Sequence, residues 1–175
     1  MLWFYDASDA IGQFMAAGGP VLNLIAVLMF VMWALIFERI WYFYGAHKKI
    51  TNGAMAQWNA RSDIKSWAAH RIREAIISRI SLGIDQNLSI IKTMVSLCPL
   101  MGLLGTVTGM IEVFNILAIT GGGDARSMAS GVSKATIPTM AGMVAALSGV
   151  FASSWLTRKS TREKELIEDH LTIEH

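Results

Sequence analysis

TMVSLCPLMGLLGTVTGMIEVFNILAIT, Thr93 to Thr120, is 28 residues long and carries one charge, Glu112. A bilayer core about 30 Å thick is crossed by about 20 apolar residues rising about 1.5 Å each, so this stretch spans a membrane as a helix. Its glycines, Gly102, Gly105 and Gly109, recur at three- and four-residue spacings and share a helical face. Small residues in such a row let helix backbones approach closely, which is how helices associate in a membrane.

Two further stretches behave in the same way. Val21–Phe37 is a 17-residue run with Asn23 as its only strongly polar member, preceded by Pro20, a residue that favours the first helical position. Ala135–Thr157 is 23 residues long and uncharged. Composition agrees: 53% of the 175 residues are hydrophobic and only 16% charged, against about 25% charged in soluble domains. The net charge of +2 gives no reason to expect nucleic-acid binding, and the single cysteine, Cys98, excludes an internal disulfide framework.

The fifteen Lys and Arg side chains set an orientation. None precedes the first span, nine lie in 38–92, two in 121–134 and four after Thr157. Three spans place the 38–92 loop and the C-terminal tail on one side, and the positive-inside rule makes that side cytoplasmic. The expected organisation is then a periplasmic interfacial segment at 1–18, a first transmembrane helix at 19–40 and a cytoplasmic helical loop at 41–92. It continues with a second span at 93–120, a periplasmic turn and helix start at 121–134, a third span at 135–157 and a cytoplasmic tail at 158–175. Met1–Gly19 lacks Lys and Arg, and no small-residue cleavage site follows the apolar run, which argues against a signal peptide. Trp41–Tyr44 reads as an inner aromatic belt and Trp3–Tyr5 as its outer counterpart. The tail pairs Lys159 with Glu163 at i, i+4 and extends the third helix.

The spans are built for different neighbours. The first is bulky throughout and suits lipid, whereas the third carries Gly142, Ala146, Gly149 and Ser153 on one face. The hydroxyls of Thr106, Thr108, Thr136, Thr139 and Ser148 gather on the second and third spans. One bulky helix cannot enclose two small-faced ones, so an oligomer is expected. The fold class is thus an all-α membrane protein whose three transmembrane helices have cytoplasmic helical extensions.

The run Pro99–Phe114, PLMGLLGTVTGMIEVF, resembles the second-helix signature of the ExbB/TolQ/MotA family of ion-driven motor subunits. Gly131–Ala146, GVSKATIPTMAGMVAA, resembles the third-helix signature, and Glu38-Arg39 after the first span is similar to a cytoplasmic family feature. The resemblance implies a pentameric ring in the bacterial inner membrane whose second and third helices line a central pore. It implies an ExbD-type single-span partner inside that pore, whose carboxylate carries the proton, and a TonB-type protein that passes the motion to outer-membrane transport. It assigns the pore-lining threonines to Thr106 and Thr139. Three spans favour the ExbB or TolQ branch over MotA. A TolQ-like role in envelope maintenance and a passive membrane scaffold are the alternatives. Lys134 departs from the acidic residue that many ExbB and TolQ sequences carry there.

Helix arithmetic places Glu112 about 9 Å outward of Thr106 and Lys134 about 7.5 Å outward of Thr139. Glu112 is turned about 120° from Thr106, in line with Gly105 and Thr108. An ion pair between Glu112 and Lys134, within or between subunits, is the resulting expectation. Pro138 deprives the Lys134 carbonyl of its helical donor and kinks the third helix, or else it marks the first turn of a helix starting at Thr136. His47, His70, His170 and His175 show no metal-ligand spacing, and no nucleophile elbow, phosphate loop or HExxH motif occurs. No catalytic residue, metal or cofactor is assigned.

Overall fold

A computed structural model describes residues 2–60, 66–121 and 125–170, and every described element is helical: α1 (Leu2–Tyr44), α2 (Ala46–Asn59), α3 (Trp67–Asp85), α4 (Leu88–Thr120) and α5 (Ala125–His170). Three of the helices are long and apolar enough to cross a membrane. The chain divides into two compact units, residues 1–33 with 93–150, and 34–92 with 151–175. Gly122, Gly123, His175 and the side chains of Trp3, Phe4, Tyr5 and His170, which entered the sequence reading, lie outside the described residues.

In the first unit α1 breaks at Gly19, whose φ of 65° and ψ of −163° are non-helical. A β-carbon is disfavoured at such a φ, and Pro20 next to it has no N–H to give and a φ already set for a first turn. The break therefore costs little and resets the helix direction before the apolar run. Beyond it, Val21, Leu22, Ile25 and Met32 are buried while Leu24, Val27 and Phe30 (76% exposed) face outward.

α4 and α5 pack antiparallel through their small residues, one contact per turn. A Cβ built on Gly142 would stand 2.5 Å from the Cys98 carbonyl oxygen and 3.1 Å from the Gly102 Cα. One on Gly102 would stand 2.9 Å from the Thr139 Cα, and Gly105 packs directly on Pro138. One on Gly109 would lie 2.8 Å from the Ala135 Cα, and one on Gly131 would lie 2.5 Å from Val113 Cγ2. Gly149 faces the side chains of Met32 and Val95, so it joins α5 to both other helices of this unit, and Ala146 is buried on the same side. Outside this seam α4 exposes Leu100, Leu103, Val107 and Phe114, and α5 exposes Met140, Val144 and Leu147. Apolar faces of this extent are rare on soluble monomers and belong against lipid or other protein. The bulky outward surface is therefore shared by all three spans, where the sequence reading gave it to the first.

α5 starts at Ala125, well before Thr136, so the reading of Pro138 as a first-turn residue falls. Gly131 is drawn into the helix because its missing side chain makes room for Val113.

The second unit holds the end of α1, α2, α3, the start of α4 and the end of α5. Ser66 caps α3, its hydroxyl accepting from the Ala69 N–H at 3.2 Å. Ile36, Ile80, Ile84, Ile91, Leu156 and Ile167 form its apolar core. The expected Lys159–Glu163 pair is replaced by other partners, one of them on the same helix. Lys159 lies 4.5 Å over the Tyr44 ring and 5.5 Å over Trp155, while Glu163 Oε2 stands 3.3 Å from His47 Nε2. An exposed i, i+4 pair is worth only a few tenths of a kcal/mol, little enough for the buried His47 to draw Glu163 away and for the Tyr44 and Trp155 rings to take Lys159.

Candidate functional site

The glycine seam positions the threonines. Because residue 102 has no side chain, Thr139 reaches across from α5 and its hydroxyl donates to the Gly102 carbonyl at 2.8 Å. Its oxygen is 3.0 Å from Thr106 Oγ1, so the two hydroxyls meet at one level of the helix pair. Thr106 Oγ1 also lies 2.9 Å from the Leu103 carbonyl and 3.4 Å from that of Gly102, acceptors one turn back on α4. Both threonines are half-buried, at the rim of the seam. Pro138, fully buried beside Thr139, packs on Gly105 and holds the two backbones close.

Chemically this is a short hydroxyl ladder. With Thr139 giving its proton to Gly102, its oxygen is free to accept, and Thr106 can donate either to it or to Leu103. Such a pair can exchange hydrogen bonds with a carboxyl group brought alongside and hand a proton along. Thr108 is not part of the ladder: its hydroxyl bonds back to the Leu104 and Gly105 carbonyls at 3.0 and 3.1 Å.

Glu112 and Lys134 are both exposed and line one cavity of about 620 Å³ with Thr108 and the Gly18–Pro20 break of α1. They share this cavity but form no ion pair with each other within the chain. The contact between α4 and α5 at this level is made by Gly109 with Ala135 and Val113 with Gly131. Glu112 and Lys134 sit beside those residues in sequence and so flank the seam.

Glu38-Arg39 is a structural node of the second unit. Arg39 is 1% exposed, its Nη1 donates to the Gly83 carbonyl at 2.9 Å, and its Cζ lies 4.8 Å above the Tyr42 ring. Glu38 remains exposed, 3.4 Å from Arg39 Nε, and accepts from Asn87 Nδ2 at 3.3 Å. Asn87, at φ 63°, makes the corner between α3 and α4, a conformation asparagine tolerates. Arg39→Leu leaves the Gly83 carbonyl without its charged donor, and we expect a loss of about 2–3 kcal/mol. Thermal unfolding in detergent checks this, and an unchanged midpoint contradicts it.

Two clusters had no sequence signal. His47 is buried beneath Tyr42 and Phe43 and faces Glu163, and Asp85 accepts from Ser160 at 3.2 Å and pairs with Lys164. Each joins a local group to one residue distant in sequence, Glu163 or Asp85, that only helix packing brings in. Among the described residues no three His, Cys, Asp or Glu side chains gather as a metal site.

Residues 45–169 match the MotA/TolQ/ExbB proton channel family, a stretch that takes in α2 to α5 and the whole hydroxyl ladder. The biopolymer transport protein ExbB of Helicobacter pylori is 36% identical over 84 residues, which is 48% of this chain and 58% of that protein. A biopolymer transport protein of Synechocystis sp. named ExbB-like 1 is 51% identical over 61 residues, 33% of this chain and 24% of that protein. The matched parts are thus under two thirds of the length of either relative, and the likeness is to ExbB-type subunits. With the family match covering well over half of its length, the chain belongs to the MotA/TolQ/ExbB proton channel family.

Proposed function

We propose that this chain is an ExbB-type subunit of a bacterial inner-membrane motor that couples the proton-motive force to outer-membrane transport. Five copies form a ring around a central pore lined by α4 and α5. An ExbD-type partner stands in the pore and presents a carboxyl group to the Thr106–Thr139 ladder, and a TonB-type protein carries the motion outward. The loop at 38–92 and the C-terminal end of α5 face the cytoplasm, where the basic side chains are concentrated.

The observation that carries this reading is the 3.0 Å contact between the two threonine hydroxyls across the α4–α5 seam. A membrane interior offers no water, so the acceptor capacity left on these two hydroxyl oxygens is available to a polar group brought alongside. The broad apolar faces outside the seam supply the contacts for neighbouring subunits.

The test is complementation together with flux. Co-expressed with an ExbD-type partner in cells lacking their own ExbB, the chain restores energy-dependent uptake through outer-membrane receptors, and the complex in liposomes conducts protons down an imposed gradient. Absence of both results overturns the reading. Restored envelope integrity in cells lacking TolQ, without restored uptake, reassigns the chain to the TolQ branch. Native mass spectrometry in mild detergent gives a pentamer of the chain, and a dominant monomer or dimer refutes the ring.

A further inference from the structure

A second cavity, also of about 620 Å³, lies within the second unit, between α2 and α3 and beside the end of α1. Its walls are apolar: Ile50, Ile72, Ile76 and Ile80 with alanines 54 and 75. Among the described residues the charged side chains that line it are Lys49 and Arg79, both cations and both exposed. Tyr42 lines it as well, and Tyr42 belongs to the aromatic run that ends the first apolar span. Aromatic side chains of that kind mark the depth of lipid headgroups, so the groove opens where a membrane surface is at hand.

We propose that this groove takes an acyl chain of an anionic phospholipid whose headgroup is held by Lys49 and Arg79. Two cations and no acid among the described lining residues select a negative ligand, and the isoleucine walls select an aliphatic one. The cavity volume falls within the range of about 300 to 1,000 Å³ of small-ligand sites, as a bound acyl chain requires. The inference stands on the second unit alone and does not depend on proton conduction.

Gly53 supplies a steric test. It lines the groove, and a Cβ built on it meets nothing within 4 Å, so Gly53→Leu fills the cavity from open space and replaces a poor helix former by a good one. The purified chain is delipidated in detergent, dioleoylphosphatidylglycerol or dioleoylphosphatidylcholine is added back, and retained lipid per subunit is counted by native mass spectrometry. The wild-type chain keeps one more phosphatidylglycerol than Gly53→Leu does, and binds it at least tenfold more tightly than phosphatidylcholine. Lys49→Gln with Arg79→Gln weakens phosphatidylglycerol binding about 25-fold, about fivefold for each cation lost near an anionic headgroup. Circular dichroism shows unchanged helicity in both variants. Equal phosphatidylglycerol retention in the wild type and Gly53→Leu overturns the site. Equal binding of the two lipids, or no effect of removing both cations, overturns the anionic ligand. An acidic protein that co-purifies with the wild type and is lost from Gly53→Leu, with lipid counts equal, assigns the groove to a protein partner instead.

Discussion

Thr106→Val and Thr139→Val are each expected to reduce proton-driven transport at least tenfold while leaving the assembled complex intact. Valine keeps the volume of threonine and removes only the hydroxyl, so the helix seam loses about 1 kcal/mol of hydrogen bonding per site. That is small beside the packing of Gly102, Gly105 and Gly142. The functional loss is larger because the ladder is broken: Thr139→Val removes both the donor to Gly102 and the partner of Thr106, and Thr106→Val removes the other end of the 3.0 Å contact. Thr139→Ser, which restores a hydroxyl, recovers transport. Thr108→Val serves as the control, since its hydroxyl bonds only to the Leu104 and Gly105 carbonyls of its own helix, and it transports normally. Uptake in cells together with native mass of the complex reads both quantities. Wild-type transport by both valine variants removes the threonines from the mechanism.

What the chain reveals before folding is its periodicity. The four-residue spacing of Gly105 and Gly109, and the face shared by Gly142, Ala146 and Gly149, reappear as the α4–α5 seam because small residues at helical spacing have one consequence in a membrane. The pairing of Thr106 with Thr139 is different in kind. Two threonines on separate helices carry no mutual signal, and only the family resemblance pointed to both.

Long-range partners were the least legible. Lys159 and Glu163 have favourable spacing, yet the Tyr44 ring and His47 claim them, because partners brought in by folding outweigh an exposed local pair. α5 begins at Ala125, within the 121–134 stretch expected to hold the turn and the helix start, and only the alternative start at Thr136 falls. Gly131 and the polar residues around it weaken the helical signal locally, and packing against Val113 supplies the compensation. Level arithmetic brought Glu112 and Lys134 to one cavity, but facing a common space is not contact, and the two do not pair within the chain.

The severity of alanine substitutions at glycine should follow what each new Cβ meets, and Gly142 is expected to be the worst. At Gly142 the neighbours at 2.5 and 3.1 Å are the Cys98 carbonyl oxygen and the Gly102 Cα, both backbone, so nothing can rotate away and the two helices must separate. Overpacking of this kind costs about 1–3 kcal/mol, and here separation also lengthens the bond from Thr139 to the Gly102 carbonyl. Gly142→Ala therefore loses both stability and transport, and Gly142→Leu fails to assemble. Gly102→Ala meets backbone at 2.9 and 3.0 Å and follows closely. Gly149→Ala meets side-chain atoms, Met32 Sδ and Val95 Cγ2 at 2.7 Å, and the flexible methionine can move, so its cost is smaller. Gly12→Ala meets nothing within 4 Å and gains up to about 1 kcal/mol of helix propensity. Unfolding midpoints in detergent should fall in the order Gly12→Ala, Gly149→Ala, Gly102→Ala, Gly142→Ala, from highest to lowest. If Gly142→Ala unfolds where Gly12→Ala does, the α4–α5 seam does not hold the helices at the distance the hydroxyl ladder requires.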